Sequence, residues 1–165
     1  TTEAAYLEII TRKTAMLFQA AAHAGAVLAG ANQKTEEALR DFGLHLGVSF
    51  QLVDDQLDYL GDSAELGKNV GDDLAEGKMT LPLIVAMRNG DEAQISFVKE
   101  AVLSGGVENF ASMVDIVKST GGLDYTTMLA DEERASAISC LNSLDDSIYK
   151  ASMGNLINFV VDRQH

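Results

Sequence analysis

The sequence predicts an all-α helical bundle, and three observations carry that prediction. Apolar residues recur at helical spacing along nearly the whole chain, beta-branched and aromatic runs are sparse, and Pro occurs once in 165 residues. Ala, Leu, Glu, Asp and Lys dominate, which favours helix by propensity as well as by pattern. At 47% hydrophobic, the chain can form one domain with a substantial core. A chain of this size buries roughly two-thirds of the surface its unfolded form exposes.

The first helix is expected from about Glu3 to Ala29, with Leu7, Ile10, Thr14, Leu17 and Ala21 on one stripe. Ala15 to Ala31 carries no formal charge, yet it is short for a membrane span and contains Gln19 and His23, so it reads as a buried helix. After a loop at Ala31-Asn32-Gln33-Lys34, Thr35 with Glu36 and Glu37 resembles a capped start, and the second helix should run to about Leu60. Residues 61 to 79 hold four glycines and many charges without a period, which marks a loop. Thr80-Leu81-Pro82 restarts a helix, with Pro82 tolerable in the first turn. Shorter helices are expected over Glu92 to Leu103 and Val107 to Ser119. Gly121-Gly122 then breaks the chain before a last helical stretch from about Asp124 to Val161, interrupted either near Leu144 to Ser147 or at Gly154.

Acidic residues outnumber basic ones 25 to 12, for a net charge of −13, which speaks against binding a nucleic-acid backbone through a general positive field. An anionic ligand needs local basic residues or a bridging metal. Cys140 is the one cysteine, so the sequence offers no intramolecular disulfide and no cysteine-based zinc cluster, and it suits a reducing cytoplasm. No signal peptide is evident, and the opening Thr1-Thr2-Glu3 leads directly into a helical pattern, as a cut would.

The second helix carries the chemistry. Gln51, Asp54, Asp55 and Asp58 stand at i, i+3, i+4 and i+7 and share one face. Leu46, Phe50, Val53, Leu57 and Leu60 form a second stripe, and Leu44, Val48 and Leu52 a third, so the helix is apolar around most of its circumference and should be buried. Extending the acidic stripe backwards reaches Gly47 and Gly43, whose missing side chains suggest a groove for a long ligand. Asp54 and Asp58 repel each other near a helix C-terminus, where the dipole also disfavours anions. A divalent cation relieves both effects, and oxygen ligands of this kind suit Mg²⁺, which takes one or two carboxylates plus waters and substrate phosphates.

Gly67-Lys68 and Gly77-Lys78 follow, with Gly71-Asp72-Asp73 between them. Lysines on a glycine-rich loop can reach a diphosphate as point charges while the glycines allow close backbone approach. This is not a P-loop, because five residues separate Gly71 from Gly77 and Met79 follows the lysine. Lys13-Thr14 lies among apolar neighbours on the first helix. His23 and His45 lack a partner at zinc-protease spacing and read as structural.

Taken together, Lys13-Thr14, Phe50-Gln51, Asp54-Asp55-x-x-Asp58, Gly67-Lys68, Gly71-Asp72-Asp73, Gly77-Lys78 and Thr80-Leu81-Pro82 closely resemble the trans-isoprenyl diphosphate synthases, and within them the bacterial octaprenyl, or long-chain polyprenyl, branch of quinone side-chain synthesis. The resemblance covers essentially the whole chain. It implies a bundle of long helices around a deep cavity, with two aspartate-rich motifs facing each other across its mouth. Asp54, Asp55 and Asp58 would form the second motif, with Asp54 the direct Mg²⁺ ligand and the other two acting partly through water. Lys13 and Lys68 would contact the allylic prenyl diphosphate, with Lys78 as a helper. Thr14 and Gln51 would present oxygen dipoles to the developing allylic cation. Isopentenyl diphosphate would be the second substrate, and such synthases are commonly homodimers.

The chain departs from that pattern in one respect: no first aspartate-rich motif is present in these residues. They therefore resemble the C-terminal portion of a single synthase domain, expected to hold metal and diphosphate weakly by itself. Two other readings remain open here: a non-catalytic regulatory subunit of a heteromeric synthase, and a helical interaction module whose acidic face is only solvated. The first predicts a natural start near Thr1. The lysine loop speaks against the second.

Overall fold

The computed structural model describes residues 1–60, 71–104 and 110–163; every described element is helical. The helices are α1 (Glu3–Ile10), α2 (Met16–Leu28), α3 (Gln33–Leu60), α4 (Asp72–Ala75), α5 (Leu81–Asn89), α6 (Glu92–Ser104), α7 (Phe110–Ser119), α8 (Gly122–Leu141) and α9 (Ile148–Asp162), with a π-helical turn, Thr11–Ala15, joining α1 to α2. Among the described residues no helix is long and apolar enough to cross a membrane.

The chain divides into two compact units: Thr1–Tyr6 with Asp54–Met128, and Leu7–Val53 with Leu129–Arg163. In the first, α5 packs against α6 and α7. Its core holds Tyr59, Leu74, Leu83, Val98, Met113 and Val117. Thr80 precedes α5 in extended conformation, and Pro82 occupies the first turn as expected. Gly121, at φ 77°, ends the turn after α7. In the second unit, Phe42, Leu46, Ala137, Leu141, Ile157 and Val160 form the core, with Phe18 and Phe50 packed against it. Arg163 lies over the Phe50 ring at 4.2 Å and donates to the Phe50 carbonyl oxygen at 2.9 Å.

Several boundaries differ from the sequence reading for identifiable reasons. The second helix begins at Gln33 rather than Thr35, because the Asn32 side chain accepts the Thr35 amide at 3.0 Å and so acts as the cap. A helical turn, α4, sits inside the stretch read as loop. The last helical stretch is interrupted over residues 142–147, where the Ser147 hydroxyl accepts the Lys150 amide and starts α9, while Gly154 lies within the helix. The start expected at Val107 falls outside the described residues.

The largest departure is in the first helix. The Met16 amide donates to the Thr11 carbonyl, five residues back, so one extra residue is accommodated and the register beyond it turns by about 100°. The expected stripe is therefore broken: Ile10 is buried, but Leu17 is 75% exposed. The buried side of α2 follows Ala15, Phe18, Gln19, Ala22 and Ala26 instead. Nor is α2 a buried helix, since Met16, Leu17, Val27 and Leu28 are all exposed.

Candidate active site

The C-terminal end of α3 ties Asp55 and Asp58 into hydrogen bonds with distant parts of the chain. Asp55 is 3% exposed, and the buried Tyr6 hydroxyl donates to it at 2.6 Å across 49 residues of sequence. Burial and then the Asp55 charge push the Tyr6 phenol far up, so it stays a donor. Asp58 is half-buried. Its Oδ1 accepts the Gly71 amide at 3.2 Å and its Oδ2 the Asp73 amide at 3.3 Å. Burial, followed by the nearby Asp73 charge, pushes Asp58 up to about 6, against the opposing effect of those backbone N–H groups. Asp54, one turn before Asp58, keeps part of its surface accessible.

Lys78 closes the other side of this cluster. Its Nζ meets Asp73 at 2.8 Å and Glu76 at 2.7 Å, and hydrogen bonds to these two carboxylates raise its pKa. The ammonium therefore leans on the carboxylates of Asp73 and Glu76. Beneath them, the Tyr59 ring stacks on Phe110 with centroids 6.1 Å apart, and Gln56 donates to Thr127 at 2.6 Å.

Separately, in the other unit, the Thr14 hydroxyl donates to Gln51 Oε1 at 2.8 Å. A hydroxyl has one proton to give, so Thr14 has only lone pairs left for any further neighbour. Lys13 is exposed on the same π-helical turn. Turns of this kind are over-represented at functional positions because they re-aim the side chains they carry.

Gly43 and Gly47 do not open a groove. A β-carbon on Gly43 would lie 2.6 Å from the Phe18 carbonyl oxygen, and one on Gly47 2.5 Å from the Ala15 α-carbon. The missing side chains let α2 and α3 approach backbone to backbone, which leaves no room for a ligand there.

Residues 1–117 match the polyprenyl synthetase pattern. The chain belongs to the polyprenyl synthetase family. It is 45% identical to the octaprenyl diphosphate synthase of Haemophilus influenzae over 166 residues, covering 100% of this chain and 50% of that protein. It is 43% identical to the all-trans-nonaprenyl-diphosphate synthase (geranyl-diphosphate specific) of Rhodobacter capsulatus, covering 99% of this chain and 50% of the relative. Among solved structures, a polyprenyl synthase from Caulobacter crescentus, complexed with calcium and isoprenyl diphosphate, superposes with a TM-score of 0.93 at 40% identity over 99% of this chain and 51% of its own. The chain thus spans about half the length of the curated relatives it matches.

Within this polyprenyl synthetase chain, the fold brings Asp54, Asp55 and Asp58 to one helix end and pairs Thr14 with Gln51. Lys68 and Gly67 lie outside the described residues. Among the described residues no three His, Cys, Asp or Glu side chains are arranged to hold a metal ion by themselves. The donors nevertheless fit Mg²⁺, which needs few carboxylates when substrate phosphates and waters complete its shell. Burial first and the Asp73 charge second disfavour the ionised form of Asp58, and a nearby cation would offset both. Sequence reasoning gave no role to Tyr6 or Asp73. Tyr6 sits in a plain apolar-looking turn, and only its 49-residue reach to Asp55 gives it meaning. Asp73 stood in a stretch read as loop, although Gly71-Asp72-Asp73 was visible as a unit.

Proposed function

We propose that the protein is an Mg²⁺-dependent trans-prenyltransferase, a polyprenyl diphosphate synthase of the octaprenyl type, which condenses isopentenyl diphosphate with an allylic prenyl diphosphate. Residues 1–165 are the C-terminal portion of one synthase domain, inactive alone, and the whole protein is a cytoplasmic homodimer serving quinone side-chain synthesis. The observation that carries this reading is the ordered acidic end of α3, with buried Asp55 and backbone-bound Asp58 beside Asp73 and Lys78, in a chain of this family. An acidic face that was only solvated would not bury Asp55 to 3% exposure.

Asp54 is the direct metal ligand, and Asp55 and Asp58 act through water or through the surrounding chain. Bound Mg²⁺ would supply Lewis-acid stabilisation to the leaving diphosphate. Lys13, Lys68 and Lys78 bind and orient the diphosphate as point charges. Thr14, its proton already given to Gln51, turns lone pairs toward the allylic cation, an electrostatic role that needs a fixed oxygen in a dry setting. The allylic carbon–oxygen bond breaks, a carbon–carbon bond forms to the isopentenyl double bond, and a proton is lost.

The test is incorporation of isopentenyl diphosphate into extended product with an allylic primer and Mg²⁺, comparing residues 1–165 with the full-length native protein. Activity in the full-length protein alone, abolished by Asp54→Ala, supports the reading. Absence of activity in both sinks it.

A further inference from the structure

Asp58 ties the end of α3 to a later segment of the chain through its carboxylate. Each of its two oxygens accepts a backbone amide, from Gly71 at 3.2 Å and from Asp73 at 3.3 Å, and the Gly71 amide also reaches the Asp58 carbonyl at 3.0 Å. These amides open the turn that carries Asp73 and leads to Lys78. Gly71 has φ 88°, and a β-carbon there would meet the Phe110 ring at 2.8 Å. That ring stacks on Tyr59, the residue after Asp58. The last turn of α3 thus holds the Gly71 segment by the Asp58 carboxylate, and the Phe110 ring of α7, stacked on Tyr59, lies against Gly71. Downstream, the Lys78 amide donates to the Asp73 carbonyl at 2.9 Å while its Nζ meets the Asp73 carboxylate at 2.8 Å.

We propose that Asp58 is a positioning residue: it latches Gly71–Asp73 onto the end of α3 and thereby fixes the Asp73–Lys78 pair toward the diphosphate of the substrate. Only the identity of that substrate rests on the synthase reading; the latch itself rests on the geometry. A side chain whose duty is capping has a distinctive tolerance. Asn keeps an acceptor oxygen for one of the two amides, whereas Ala keeps none, and Asn carries no charge to offer a metal. A metal ligand shows the opposite pattern, since losing the charge is harmful whatever replaces it.

The experiment compares Asp58→Asn and Asp58→Ala in the full-length native protein by three readouts: amide exchange at Gly71 and Asp73, Mn²⁺ affinity without substrate, and KM against kcat for the allylic diphosphate. The latch predicts that Asp58→Ala speeds exchange at those amides by about two- to thirtyfold, the range expected for a lost cap. It further predicts a raised KM and nearly native Mn²⁺ affinity in Asp58→Ala, and in Asp58→Asn faster exchange at one of the two amides, the one left facing the new NH₂ group, with nearly native Mn²⁺ affinity. Unchanged exchange in Asp58→Ala, or a loss of Mn²⁺ affinity in Asp58→Asn of about tenfold or more, overturns the proposal. If Asp58→Ala does not fold, Asp58→Asn decides by the same Mn²⁺ criterion. Failure of the synthase reading appears differently, as a wild-type protein that makes no product while the exchange readout stays intact.

Discussion

The two ends of α3 are built on opposite devices. Toward its N-terminal half, Gly43 and Gly47 meet the backbone of α2 and the preceding turn with nothing between them, and the contact works because side chains are missing. Toward its C-terminal end, Asp55 and Asp58 each hold a partner distant in sequence, Tyr6 in one case and the Gly71 segment in the other. Close packing tolerates no added atom, and a polar network tolerates no lost one. The difference teaches where each kind of substitution should hurt.

The largest effect separates chemistry from packing. On the proposed function, Asp54→Ala is expected to lower turnover by on the order of 100-fold or more in the full-length protein, because it removes charge from where the metal would bind. An unchanged rate would detach the acidic end from catalysis altogether. At the opposite end, Gly47→Val should destabilise the fold by about 3 kcal/mol, because the new atoms must displace backbone at Ala15. Denaturant titration measures this, and a neutral result would mean that the two helices can separate freely. Tyr6→Phe comes next, at about 1–3 kcal/mol, since it withdraws the phenol donor from a buried carboxylate without changing volume.

Most of the architecture was legible in the sequence because helical periodicity and capping are local. Thr80-Leu81-Pro82, the Gly121-Gly122 break and the buried α3 all followed from spacing or residue type. The π-helical turn was not legible: Thr11–Ala15 reads as ordinary helix, and the one-residue phase change appears only when buried positions on either side are compared. That single shift is why Leu17 was assigned to the wrong face. The acidic motif was legible as a pattern, but its division of labour depends on contacts 13 to 49 residues away in sequence. The use of Gly43 and Gly47 is not legible in the sequence, because an absent side chain serves a groove and a close contact equally well.

A smaller prediction sharpens that last point. Gly154 lies in the middle of α9, and a β-carbon there would meet nothing within 4 Å. Gly154→Ala should therefore stabilise the protein, by up to about 1 kcal/mol, through helix propensity alone. If it destabilised the fold as Gly47→Val does, the glycines of this chain could not be sorted by the space around them.

The smallest expected effect lies on the flank of α3 and is read by pH. His45 Nδ1 lies 2.7 Å from Glu133 Oε2, and this hydrogen bond raises the imidazole above its ordinary value of 6.5, with burial opposing and the charges of Glu133 and Asp41 assisting. A histidine whose pKa is higher folded than unfolded binds its proton more tightly in the native state. Its contribution to stability is therefore complete below about pH 6.5 and is lost as pH rises through the folded value. Melting temperature should fall across that window in the wild type, and His45→Gln should flatten the slope there while leaving the acid limb unchanged. A slope that persists in His45→Gln would assign the pH response to another group and would leave the His45–Glu133 pair a contact without a proton-linked role.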